Sequence, residues 1–135
     1  MEISIKKTDK DFAFIADNGE TTIPICAGEK LEKGNVGFRP MQAFLVSLAS
    51  CMSIDILMIL KKQRQVVEDY EIKVGGTRVD AIPAVFSQIN MDIFLKGDIK
   101  DEKVKKAIQL SEEKYCSVTH MLDPKVKVSI QYFIN

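Results

Sequence analysis

From Met41 to Leu60 the chain runs through twenty residues that are nearly all apolar or small. Pro40 opens the stretch, as suits a residue with fixed φ and no N–H to satisfy at a helix start. Lys61, Lys62 and Arg64 close it with cations that suit a negative helix end. A helix from Pro40 to Arg64 would be about 38 Å long at 1.5 Å per residue. A compact chain of 135 residues has a radius of gyration near ~14 Å, hence a diameter of about 37 Å. The helix therefore spans the whole subunit, and its apolar circumference exceeds what one thin sheet covers. Length alone would also suit a membrane span. Against that, the segment carries Gln42, Ser47, Ser50, Ser53 and a central Asp55. An aspartate near mid-bilayer costs roughly 2.5–3.5 kcal/mol. The expectation is a buried helix, no membrane contact, and a second copy of the chain as its cover.

Around this helix the sequence reads as strands. Glu2–Lys6 and Asp11–Ile15 alternate polar and apolar, and Asp17-Asn-Gly-Glu20 has hairpin-turn chemistry. Thr21–Cys26 is a third strand that Pro24 confines to an edge or a bulge. Residues 27–38 read as a long loop. Beyond the helix, 66–79 is β-rich with Gly75-Gly76 as a bulge signal, and 85–95 alternates with Phe86, Ile89, Met91, Ile93 and Leu95 inward. Gly97-Asp98 marks its end. A second amphipathic helix is expected over Asp101–Val118, and a closing strand over Lys125–Ile134. The order βββ-α-ββ-α-β predicts an α+β fold with mainly antiparallel sheets.

Charge and cysteine content narrow the function. Nineteen Lys and Arg balance nineteen Asp and Glu. A zero net charge disfavours general nucleic-acid binding, which needs surplus cations. Three widely spaced cysteines, with no CxxC pair, disfavour a secreted disulfide scaffold. The first twenty residues are acidic and lack an apolar core, so no signal peptide is expected and the cytoplasm is the expected compartment.

Ser47, Cys51 and Asp55 fall at i, i+4 and i+8 and share one stripe of the apolar helix. Cys51 is either a small core residue or a nucleophilic thiol. Cys116, in Tyr115-Cys116-Ser117-Val118-Thr119-His120, would serve as a resolving thiol if the fold brings it to Cys51. Cys116 and the lone His120 stand at i, i+4, a spacing open to zinc or to a Cys–His nucleophile pair. Zinc would need two more ligands, and no metal or cofactor is assigned from the sequence. Cys26, on the proline-containing strand, is expected to be structural.

Gly37-Phe-Arg-Pro-Met-Gln-Ala-Phe-Leu-Val-Ser-Leu-Ala-Ser-Cys51, with Ile54-Asp55 and Ile59-Leu60-Lys61-Lys62, resembles the first-cysteine helix of the OsmC/Ohr family, which comprises osmotically inducible protein C and the organic hydroperoxide resistance proteins. Ala107-Ile-Gln-Leu-Ser-Glu-Glu-Lys-Tyr-Cys116-Ser-Val-Thr119 resembles its second-cysteine helix. The element order matches over residues 1–135, which would form a single OsmC-like domain. The resemblance implies an intertwined homodimer in which sheets wrap central helices, with a thiol peroxidase site at the interface. Cys51 would match the peroxidatic thiol and Cys116 the resolving thiol. The substrate would be a small organic hydroperoxide, and the reductant a dithiol, in the family typically a lipoyl group.

Three features depart from the family's peroxidases. Met41 and Gln42 stand where those carry a glutamate after the helix-opening proline, residues 1–38 hold no arginine, and Ser117 replaces a frequent proline. The chain looks closest to the OsmC-like branch. Gln42 and Arg39 then become the candidates for the missing polar groups. Eleven residues, about 16 Å of helix, separate Pro40 from Cys51, so Arg39 reaches Cys51 only from a partner subunit. The rival expectation is a dimeric module that binds a small apolar or electrophilic ligand without turnover.

Overall fold

The computed structural model describes residues 1–135, and the elements follow the expected order. Two compact units divide the chain, Met1–Phe44 and Leu45–Asn135.

The first unit is an antiparallel meander of β1 (Ser4–Lys7), β2 (Ala13–Asp17) and β3 (Thr22–Cys26). The β2–β3 hairpin is closed by side chains: Asp17 Oδ1 accepts the Gly19 N–H at 2.7 Å, and Asn18 Oδ1 accepts those of Glu20 and Thr21 at 2.9 Å. Pro24 lies on the edge strand, where its missing donor is harmless and its carbonyl accepts the Phe38 N–H. In the following loop, Glu32 folds back so that its carboxylate accepts the N–H groups of Asp11 and Phe12, each at 3.2 Å. Gly28 sits at φ +89 with the Arg39 guanidinium against it, so a Cβ there would strike Arg39 Nε.

The helix α1 covers Pro40–Lys62 and so begins in the first unit and continues in the second. It ends two residues before the expected Arg64. The Arg64 N–H bonds the Lys61 carbonyl and the Gln65 N–H that of Leu60, with Arg64 itself at φ +58. This is a Schellman stop with arginine in the left-handed position that glycine usually holds.

The second unit carries a sheet ordered β4 (Val66–Arg78), β5 (Phe86–Asp98), β6 (Lys127–Ile134). β4 and β5 are antiparallel, whereas β5 and β6 are parallel because a helical crossover joins them. The expected inward set Phe86, Ile89, Met91, Ile93 and Leu95 is buried. Two local expectations fail. Gly75 and Gly76 pair regularly with Asn90 and Ile89, and the register shifts fall instead at Val67/Asp69 and Thr77/Arg78. Gly76 is there because the Phe86 ring occupies the space a Cβ would need. β5 does not stop at Leu95 ahead of Gly97-Asp98; both residues belong to it and pair with the start of β4.

The second expected helix is also broken. α2 covers Asp101–Leu110, a π-helical turn covers Ser111–Tyr115, Cys116 is extended, and a one-turn helix α3 covers Ser117–His120. Amphipathic spacing continues through the break, which is why the sequence reads as one helix.

On α1, Leu48, Met52, Ile56 and Leu60 are fully buried. Val46, Ile54 and Met58 are 46%, 60% and 52% exposed, on the same stripe as Ser50. The helix is long and apolar enough to cross a membrane, and 33% of its most apolar window is buried.

Candidate functional site

The second unit brings together Cys51, Asp55 and Cys116. The two sulfurs and a carboxylate oxygen of Asp55 lie within 4.8 Å of one another. Cys51 and Asp55 are one turn apart on α1 and half-buried, while Cys116 is fully buried. All three cysteines of the chain are free thiols. Cys26 lies in the first unit, buried, with Sγ 3.6 Å from the Gly37 carbonyl, as befits a packing residue.

The break after α2 delivers Cys116. Its N–H reaches back five residues to the Ser111 carbonyl at 2.8 Å, which widens the last turn by one residue. The chain then leaves the helix at Cys116, with ψ 104. Cys116 Sγ accepts the Thr119 N–H at 3.4 Å and so caps α3. Ser111, completely buried at the start of the wide turn, donates its hydroxyl to Asp55 Oδ2 at 3.1 Å. Asp55 is thereby held beside the sulfurs. Burial pushes the Cys116 thiol above its ordinary range and the Cys51 sulfur adds to this; Thr119 pulls partly the other way.

His120 takes no part in a thiol–imidazole pair. Its Nδ1 faces the Cys116 carbonyl at 2.9 Å and its Nε2 the Glu113 carbonyl at 3.1 Å, so the ring braces the break. The i, i+4 spacing assumed a continuous helix, and the extended Cys116 removes that premise. Gln42 and Arg39 belong to the first unit. Gln42 Oε1 accepts the Arg39 N–H at 3.0 Å, the backward half of a capping box at the α1 start.

Beside the cluster, and sharing Asp55 with it, is a cavity of about 280 Å³. Met58, Ile59, Leu110 and Tyr115 supply its apolar wall, and Lys62 and Gln63 are its other polar groups. Gln63 Oε1 is a buried acceptor with no partner in the chain. A wider groove of about 510 Å³ runs between α1 and β4, past Val46, Ser50, Ile54, Leu57 and Ile72. There the Tyr70 hydroxyl donates to Ser53 Oγ at 3.0 Å. Burial raises the Tyr70 phenol above its ordinary range, with Ser53 opposing.

Ser111, Lys62 and Tyr115 were not legible as site residues. Ser111 left one trace, a polar residue at an inward position of an amphipathic helix.

A family model described as OsmC-like protein matches residues 32–131. The chain belongs to the OsmC-like family. The chain is similar to Protein YhfA of Escherichia coli (strain K12), 40% identical over 106 residues, 76% of this chain and 79% of that one. A hypothetical protein from Aquifex aeolicus VF5 superposes with a TM-score of 0.88 at 28% identity, over 99% of this chain and 95% of that one. The organic hydroperoxide resistance protein OhrB of Bacillus subtilis shares the OsmC-like fold at a TM-score of 0.68 and 18% identity, covering 98% of each chain.

Proposed function

We propose that this OsmC-like protein reduces small organic hydroperoxides with Cys51 and Cys116, as a homodimer. The observation that carries this reading is the juxtaposition of two free sulfurs, one half-exposed and one buried, beside a largely apolar cavity. The Cys51 thiolate attacks the terminal peroxide oxygen. An S–O bond forms, the O–O bond breaks, and the alkoxide takes up a proton and leaves as the alcohol. Cys116 then attacks the sulfenic sulfur, forming a disulfide and releasing water. A dithiol such as a lipoyl group returns both sulfurs to thiols and is itself oxidised. Arg39 of the partner subunit supplies the cation that favours the Cys51 thiolate and the leaving oxygen.

The second reading, a ligand-binding module without turnover, is favoured by the groove on α1 and by Gln42, whose side-chain oxygen is engaged in capping. Mass spectrometry after one equivalent of cumene hydroperoxide separates the two. A disulfide between Cys51 and Cys116 is expected; thiols left unmodified would favour the binding module. Cys51→Ser should abolish peroxide consumption. Cys116→Ser should allow one attack and then stall, with Cys51 passing to sulfinic acid. Cys26→Ser should leave turnover intact, and equal loss in all three variants would undo the assignment of roles.

A further inference from the structure

We infer that Cys51, Cys116 and Asp55 form a zinc site that exists only while both sulfurs are thiols. The donor set is the first argument. Two thiolates and a carboxylate are ligand types that zinc accepts, and three protein ligands with a fourth position left over is the arrangement of an open zinc site.

Geometry is the second argument. Zinc–sulfur bonds of about 2.3 Å and zinc–oxygen bonds of about 2.0–2.2 Å place tetrahedral donors roughly 3.5–3.8 Å apart. Here the three donor atoms already lie within 4.8 Å of one another, so closure shortens any separation by about 1.3 Å at most. Cys51 and Asp55 stand at i, i+4 on one helix face, a spacing that presents two ligands to one ion. Cys116 comes from a separate element, which gives the set its third direction.

The surroundings supply a third argument. Ser111 Oγ holds the Asp55 carboxylate at 3.1 Å, the outer hydrogen bond that orients a metal-binding carboxylate. A cavity of about 280 Å³ borders the set at Asp55. His120 is outside the set, because both ring nitrogens face backbone carbonyls.

Binding replaces two S–H bonds by two S–Zn bonds and releases up to two protons to solvent, with no change of oxidation state. Disulfide formation between the same sulfurs removes two donors and expels the ion. Zinc and hydroperoxide therefore compete for one dithiol.

The test uses reduced, metal-free full-length protein, without peroxide or oxygen. Titration with Co(II) should give a thiolate-to-metal charge-transfer band and tetrahedral d–d absorption that saturate at one ion per chain and are displaced by Zn(II). Prior oxidation to the disulfide should abolish the band. Asp55→Asn should weaken binding at least tenfold, and Ser111→Ala, which keeps all three donors, about tenfold. Cys26→Ser, which removes a thiol outside the set, should match the wild type. Circular dichroism checks that each variant is folded, and Ser111→Ala keeps the question open to test if Asp55→Asn is not. Absence of the band in the reduced protein, or wild-type affinity in both folded variants, would overturn the site. Because no peroxide is present, the two proposals fail separately. A chain that binds metal but consumes no peroxide loses only the peroxidase reading, and one that turns over peroxide without the cobalt band loses only the metal site.

Discussion

At the scale of single residues, the two thiols differ in access and in environment. Cys51 is half-buried on α1, whereas Cys116 is fully enclosed and its thiol is raised by burial. With metal chelated away, alkylation at pH 7–8 should modify the more accessible Cys51 first, and the enclosed Cys116, whose thiol is raised, should lag behind it. The linkage sign agrees: a thiol raised in the folded state favours folding fully below its unfolded pKa, and that contribution fades as pH rises through the folded value. Site-resolved mass spectrometry across pH checks this, and Cys116 alkylated at the same rate as Cys51 at pH 7 would contradict it. Cys51 was legible as a candidate because a thiol and an aspartate one turn apart are unusual on an apolar helix. Its closeness to Cys116 was not legible, because that depends on the backbone break at Ser111–Tyr115. The i, i+4 spacing of Cys116 and His120 loses its meaning for the same reason. Spacing arguments assume an unbroken 3.6-residue period, and a single i→i−5 bond shifts everything after it.

At the scale of elements, alternation and the long apolar run located every strand and α1, since burial on one face imposes those periods. The ends were less legible. Glycine reads as a bulge signal at 75–76 and as a strand end at 97–98, but Gly76 makes room for the Phe86 ring and Gly97 pairs within the sheet. Conversely, the left-handed residue that stops α1 is Arg64, which carries no sequence signal for that role. A side chain in that conformation costs roughly 1–2 kcal/mol, part of which glycine returns through its looser unfolded chain. Arg64→Gly should therefore stabilise the fold by about 0.5–1 kcal/mol in urea denaturation, with peroxide consumption unchanged. In the first unit, desolvation pushes the Glu32 carboxyl up, but the Phe12 and Asp11 N–H donors and the Lys10 ammonium outweigh it and hold it below its usual value. A depressed carboxyl stabilises the fold above its unfolded pKa and loses that effect as pH falls through the folded one. Glu32→Gln should thus flatten the acid limb of the stability curve, and an unchanged acid limb would contradict this role for Glu32.

At the scale of the whole molecule, α1 poses the decisive question. Val46, Ile54 and Met58 leave an apolar stripe exposed beside a groove of about 510 Å³, and 33% of the helix's most apolar window is buried. A soluble chain needs that stripe covered, and under the proposed reading a second copy covers it. Light scattering should then return 2 × 15.2 = 30.4 kDa, and Ile54→Asp should shift the chain toward monomer or aggregate. The dimer also decides where the cation comes from. Arg39 precedes Pro40, so about 16 Å of its own helix separates it from Cys51, beyond the reach of its side chain along that helix. If Arg39 serves the thiol, it does so across the interface, and mixing makes this measurable. Cys51→Ser homodimers lack the nucleophile, and Arg39→Ala homodimers lack the cation at both sites. A mixed dimer of the two variants assembles one complete site, with Cys51 from one chain and Arg39 from the other. Co-refolding the two variants should therefore restore peroxide consumption to about a quarter of the wild-type rate, since half the dimers are mixed and each has one of two sites intact. An Arg39 acting within its own chain would give no complete site in any mixed dimer, and activity would stay at the level of the unmixed variants.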